Sequence, residues 1–68
     1  MTIANDSRPS LMSPKEAAQV TTMSRVLLSM MAKEGKFPLP VKLGTKRIAY
    51  VRAEVEAWIA AKIEGRTN

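Results

Sequence analysis

Residues 13–35, SPKEAAQVTTMSRVLLSMMAKEG, decide the fold. The first four carry three helix-start signals at once: Ser13 is an N-cap residue, Pro14 sits at the first helical position, and Glu16 falls at N3, where it completes a capping box. A helix therefore starts at Pro14. Ala17, Ala18 and Val20 supply its apolar side, and the β-branched pair Thr21-Thr22 ends it after about two turns. Met23-Ser24 then sets an apolar residue before a second N-cap. The helix that follows runs from Arg25 to Glu34 and stops at Gly35, a residue suited to closing a helix in the left-handed conformation. Only three or four residues separate the two helices. Joined that tightly they form a helix-turn-helix, the unit that can present its second helix to a DNA major groove. Thr22 stands where many such turns have glycine. A β-branched residue fits positive φ poorly, so a turn of different shape is expected.

Downstream, Lys36-Phe37-Pro38-Leu39-Pro40 holds two prolines that forbid regular structure, with Phe37 as a plug for the core. Val41-Lys42-Leu43 alternates, Gly44 to Arg47 reads as a turn, and Ile48-Ala49-Tyr50-Val51 is a second β-rich run. This is a β-hairpin with a basic tip. A hairpin alone does not stand in water, so Val41, Leu43, Ile48 and Tyr50 are expected to pack on the helices, with Trp58 as the largest filler. From Ala53 to about Ile63 a third helix places Val55, Trp58, Ile59 and Lys62 or Ile63 on one stripe. Glu54 and Glu56 lie in its first turn and Lys62 and Arg66 near its end, as the helix dipole favours. Ala53, at its expected N-cap, offers no capping oxygen, a deficit of about 1 kcal/mol. The order helix, turn, helix, hairpin, helix describes a mainly α fold with a small β-hairpin, a minimal winged helix-turn-helix. Residues 1–10 read as a flexible N-terminal arm, 11–64 as the winged helix-turn-helix domain, and 65–68 as a tail.

The chain has 68 residues, which is one small domain, with 46% hydrophobic and 25% charged residues. That composition argues against disorder. It contains no cysteine and no histidine, so disulfides, thiolate sites and structural zinc are excluded and the usual nucleophile–base pairs cannot form. The composition speaks against an enzyme, and no cofactor is expected. Residues 1–12 lack the apolar core of a secretory signal. The apolar run Val26 to Ala32, broken by Ser29, falls far short of the roughly 20 residues that a membrane helix needs. The expectation is a cytoplasmic, nucleoid-associated protein that does not contact membranes.

Eleven Lys and Arg against six Asp and Glu give a net charge of +5. All of it lies between Lys33 and Arg52, where Lys33, Lys36, Lys42, Lys46, Arg47 and Arg52 face one acid, Glu34. A local basic surface on a small protein suggests a polyanion, nucleic acid first. A solvated loop is the plain alternative for such a cluster. The hairpin tip, Thr45, Lys46 and Arg47, belongs to the same basic segment as the end of the second helix, so wing and helix can serve one duplex together.

The run Leu28 to Pro38 ends Lys33-Glu34-Gly35-Lys36-Phe37-Pro38. Pro40-Val41-Lys42-Leu43-Gly44 and then Glu54-Val55-Glu56-Ala57-Trp58-Ile59 follow. Over about residues 11 to 64 these motifs resemble the AlpA-type phage regulatory proteins, relatives of MerR-like excisionases. The resemblance implies a MerR-like winged fold and DNA binding without catalysis. It also implies work as an excisionase, or recombination directionality factor, that binds and bends attachment-region DNA so that an integrase, a tyrosine recombinase, excises a mobile element. Partners implied are double-stranded DNA, the integrase directly or indirectly, and further copies of the chain aligned head to tail on DNA. Arg25 and Lys33 match family polar positions on the second helix, and Lys42 and Arg47 match wing positions.

The candidate DNA-binding set is Arg25, Val26, Ser29, Met30, Lys33, Lys36, Lys42, Thr45, Lys46 and Arg47. Where the family shows polar residues on the outward side of the second helix, this chain has Val26, Leu27, Ser29 and Met30. Leu28 and Met31 are assigned to the core by helical spacing. Val26, Leu27 and Met30 are left between core, thymine methyls and a protein contact. Two other functions fit the same residues: a transcriptional regulator of integrase or excision genes, and a protein-interaction module docking through the apolar side of the second helix.

Overall fold

The computed structural model describes residues 9–66. Its elements follow in the order β1 (Leu11–Met12), α1 (Pro14–Thr21), α2 (Arg25–Lys33), β2 (Val41–Lys42), β3 (Ile48–Val51) and α3 (Arg52–Glu64). Three helices and a small antiparallel sheet make a minimal winged helix-turn-helix, the expected class. The expected arm and tail fall mostly outside the described residues, at 1–8 and 67–68. Pro9 and Ser10 are held: the Arg52 Nε donates to the Pro9 carbonyl at 2.7 Å and the Arg52 backbone N–H to that of Ser10 at 2.8 Å.

Local chemistry sets the helix ends as the sequence indicates. The Ser13 hydroxyl accepts from the Glu16 N–H, and the Ser24 hydroxyl from the Leu27 N–H, each at 3.0 Å. At the end of α2, Gly35 takes φ 78°. Its N–H donates to Ala32 and the Lys36 N–H to Met31, at 3.1 and 2.8 Å, which is the Schellman arrangement. This closure turns the chain so that Phe37 enters the core.

The turn between α1 and α2 corrects one expectation. Thr22 does adopt the left-handed conformation, at φ 62° and ψ 24°, at a cost of about 1–2 kcal/mol for a residue with a Cβ. Hydroxyls brace it. Thr21 Oγ1 donates to the Ala17 carbonyl at 2.7 Å and accepts from the Met23 N–H at 3.4 Å, while the Thr22 hydroxyl donates to the Thr21 carbonyl.

The sheet differs from the expected two-stranded hairpin in having a third strand, in the order β1-β3-β2. Leu11 pairs with Val51 and Met12 with Tyr50; Val41 pairs with Ala49 and Lys42 with Ile48. Directly opposed residues share a face, so Lys42, not Val41, stands beside Ile48, Tyr50 and Met12. The expected inward set is therefore off by one on β2. Residues 43–47, closed by the Leu43 N–H on the Arg47 carbonyl at 2.8 Å, fix that register. Val41 and Leu43 are exposed, because β2 is an edge strand whose extensive neighbour is β3 alone.

Met12, Ala17, Leu28, Ala32, Phe37, Tyr50 and Val55 form the core, with Met23, Met31, Trp58 and Ile59 packed against it. Tyr50, not Trp58, is the largest fully buried side chain. The chain's one Phe, one Tyr and one Trp stack edge to face, with Phe37 5.4 Å from Tyr50 and 5.0 Å from Trp58. Half-buried Trp58 donates its indole N–H to the Lys36 carbonyl at 2.8 Å and lies under the Lys62 ammonium at 5.3 Å. This pins the proline-bounded loop to α3. Val20, expected on the buried side of α1, is exposed and borders a shallow groove with Trp58, Ile59 and Ile63. Helix α3 begins at Arg52, one residue earlier than expected, and its N-cap is Val51 rather than Ala53, with no side-chain cap.

Candidate nucleic-acid interface

Two adjoining grooves bring the second helix and the wing together. One runs beneath the wing tip, bordered by Leu11 to Lys15 on one side, Leu43 and Lys46 to Ala49 on the other, and Arg25. The second runs along the outer side of α2, between Arg25, Val26, Ser29, Met30 and Lys33 on the helix and Ile48 and Tyr50 on β3, with Pro14 at its end. Arg25, Pro14 and Ile48 belong to both. Among the described residues, no carboxylate lines either groove.

The helix face follows from periodicity. Leu28 and Ala32 are buried, so the residues displaced by about half a turn, Val26, Met30 and Lys33, face outward. Leu28 is buried and Met31 half-buried as expected, whereas Val26, Leu27 and Met30 are exposed and the core assignment for these three is excluded. Leu27 borders neither groove.

The basic cluster in space is not the one in the sequence. Arg52 is only 6% exposed, its guanidinium bound to the Glu16 carboxylate through two hydrogen bonds at 2.8 and 3.1 Å. It contributes to packing, not to a surface field. Lys36 pairs loosely with Glu34 at 3.5 Å and borders a separate groove with Phe37, Trp58 and Lys62. In their place Arg25 and Lys15, both outside the basic segment, join Lys33, Lys46 and Arg47 around the two grooves. Lys42 is exposed on β2 opposite Ile48, hence on the sheet face that looks toward α2, and Thr45 is exposed in the wing turn. Sequence reasoning missed Lys15. Nothing beside it in the chain marks it, and only the folding of the wing over the start of α1 brings it there.

A helix-turn-helix whose second helix and β-wing border one basic surface belongs to the winged helix-turn-helix class of DNA-binding folds. Residues 11–63 match the family model described as prophage CP4-57 regulatory protein (AlpA). The chain belongs to this family of phage regulatory proteins. It is also similar to an uncharacterized protein, ORF88, of Enterobacteria phage P4, at 37% identity over 51 residues, which is 75% of this chain and 58% of that protein. The chain thus spans less than two thirds of that relative's length. No solved structure matches it. Among the described residues no helix is long and apolar enough to cross a membrane.

Proposed function

We propose that the chain is an excisionase-type architectural DNA-binding protein, a recombination directionality factor. It lays α2 in the major groove of attachment-region DNA and sets the wing on the neighbouring backbone. The observation that carries this reading is the position of Arg25. It borders both the groove under the wing tip and the outer groove of α2, so helix and wing act as parts of one cationic surface. Lys33, Lys42, Lys46 and Arg47 contact phosphates, with Lys36 at the edge, and Ser29 and Thr45 add hydroxyl donors.

A monomer of this size offers few base contacts. Useful specificity then comes from several copies aligned head to tail on adjacent sites and from DNA that bends cheaply, and the bent array assists a tyrosine recombinase in excision. The regulatory description of the family favours a second reading, a transcriptional regulator of integrase or excision genes. Excision of an attachment-site plasmid by purified integrase, with and without this protein, separates the two. A gain in excised product that tracks occupancy in a parallel footprint supports the excisionase reading. Occupancy with no gain in product refutes it in favour of the regulator.

A further inference from the structure

Val26 sits where an apolar side chain does least for the fold. It lies on the side of α2 opposite buried Leu28 and Ala32 and is 70% exposed, and Met30 beside it is 52% exposed. The two share their groove with the cations Arg25 and Lys33 and with the hydroxyl of Ser29. Among the described residues no carboxylate lines that groove or the one adjoining it under the wing.

The charge decides what covers these side chains. An apolar patch on a partner protein would desolvate Val26 and Met30 but leave flanking cations on both sides without counter-charges. A duplex supplies phosphates to the cations. On the floor of its major groove it also supplies one apolar group, the C5-methyl of thymine, while every other feature of the base edges is a donor or acceptor that valine and methionine cannot satisfy. Methionine is flexible enough to follow a methyl whose position varies with local twist.

We infer that Val26 and Met30 form a thymine-methyl reader, so that α2 selects sequence by apolar contact where related folds use hydrogen bonds. The inference rests on the DNA-binding reading above and deepens it. Exchanging thymine for uracil removes the methyl alone and leaves the base-pairing edge, backbone and charge unchanged.

The test selects bound sequences from a random duplex library and resynthesises the preferred duplex with each thymine replaced in turn by uracil. Affinities are then measured for the wild-type chain and for Val26→Ser, a substitution at an exposed position that leaves the core untouched. At one or more positions uracil is expected to weaken wild-type binding about fourfold, the factor that corresponds to one CH₂ unit withdrawn from burial. Val26→Ser is expected to bind the thymine duplex more weakly and to lose the penalty for uracil at its position. Wild-type indifference to uracil at every position, or a Val26→Ser chain that keeps both affinity and uracil discrimination, overturns the inference. Salt-sensitive duplex binding that is indifferent to uracil removes this inference alone. Failure to retain any duplex at low salt removes the interface reading and the inference with it.

Discussion

Arg52 is the buried charge on which three segments converge, and its removal gives the sharpest test of the fold. Its guanidinium binds the Glu16 carboxylate at 2.8 and 3.1 Å and the Pro9 carbonyl at 2.7 Å, so it joins the start of α3 to α1 and to the chain ahead of β1. Stranding one member of a fully buried pair costs about 3–5 kcal/mol. The two partners are not equally buried, however: the Glu16 side chain is 39% exposed and that of Arg52 only 7%. In Arg52→Met the carboxylate left behind is hydrated, and the loss is discounted to about 2 kcal/mol. In Glu16→Gln the buried guanidinium loses the carboxylate that faces it, and the loss rises to about 3 kcal/mol.

Either is a large share of the roughly 3–10 kcal/mol available to a domain of this length. The Arg52→Met midpoint should fall by about 8–16 °C. Thermal circular dichroism and urea titration followed through the fluorescence of Trp58, the chain's one tryptophan, measure both variants. The double variant should be less destabilised than the sum of the two single ones, because both substitutions remove the same interaction. Losses under about 0.5 kcal/mol for Arg52→Met, or a milder effect for Glu16→Gln than for Arg52→Met, would refute this assignment of the buried charge.

Two further outcomes follow from the core and the turn. Thr22→Gly should stabilise the chain by about 1 kcal/mol, the left-handed strain relieved less the added entropy of the unfolded glycine, and raise the thermal midpoint by about 4–8 °C; a fall would show that the Thr22 hydroxyl outweighs the strain. Burial raises the pKa of the Tyr50 phenol above its ordinary value of 10.0. The unfolded chain then releases that proton first, so stability is level below about pH 10 and declines as pH rises through the folded pKa. Tyr50→Phe should flatten this decline in denaturant titrations across alkaline pH, and an unchanged decline would assign it to other groups.

The parts of the fold legible in the sequence are those set by neighbours in the chain. Ser13, Ser24 and Gly35 cap helices through bonds that span three to five residues, and their side-chain chemistry announces them. Phe37 could be placed in the core because prolines on both sides of Leu39 leave it no regular element to join. What escaped reading depends on partners far away in sequence. Strand β1 is two residues whose only strand-like property is that they meet Val51 and Tyr50. Arg52 stands in a basic run and looks like surface until Glu16, 36 residues earlier, is placed beside it. Alternation alone puts Val41 with Ile48, but the length of the wing turn slides the register by one and turns Lys42 to that face instead.

The same distinction holds for the interface. Arg25, Ser29 and Lys33 follow from helical spacing once the core side of α2 is known. The addition of Lys15 and the departure of Arg52 do not, since both are decided by how the wing and the arm-proximal segment close over α1.

Salt-dependent binding of a labelled duplex, followed by fluorescence anisotropy, tests most directly whether helix and wing form one phosphate-binding surface. If four or five of Lys15, Arg25, Lys33, Lys42, Lys46 and Arg47 each neutralise one phosphate, log affinity should fall against log salt with a slope of about −4, and Lys46→Glu with Arg47→Glu should weaken binding to all sequences alike and reduce the slope by about 2. A slope near zero, or a charge-reversed wing that binds as tightly as the wild type, would contradict it.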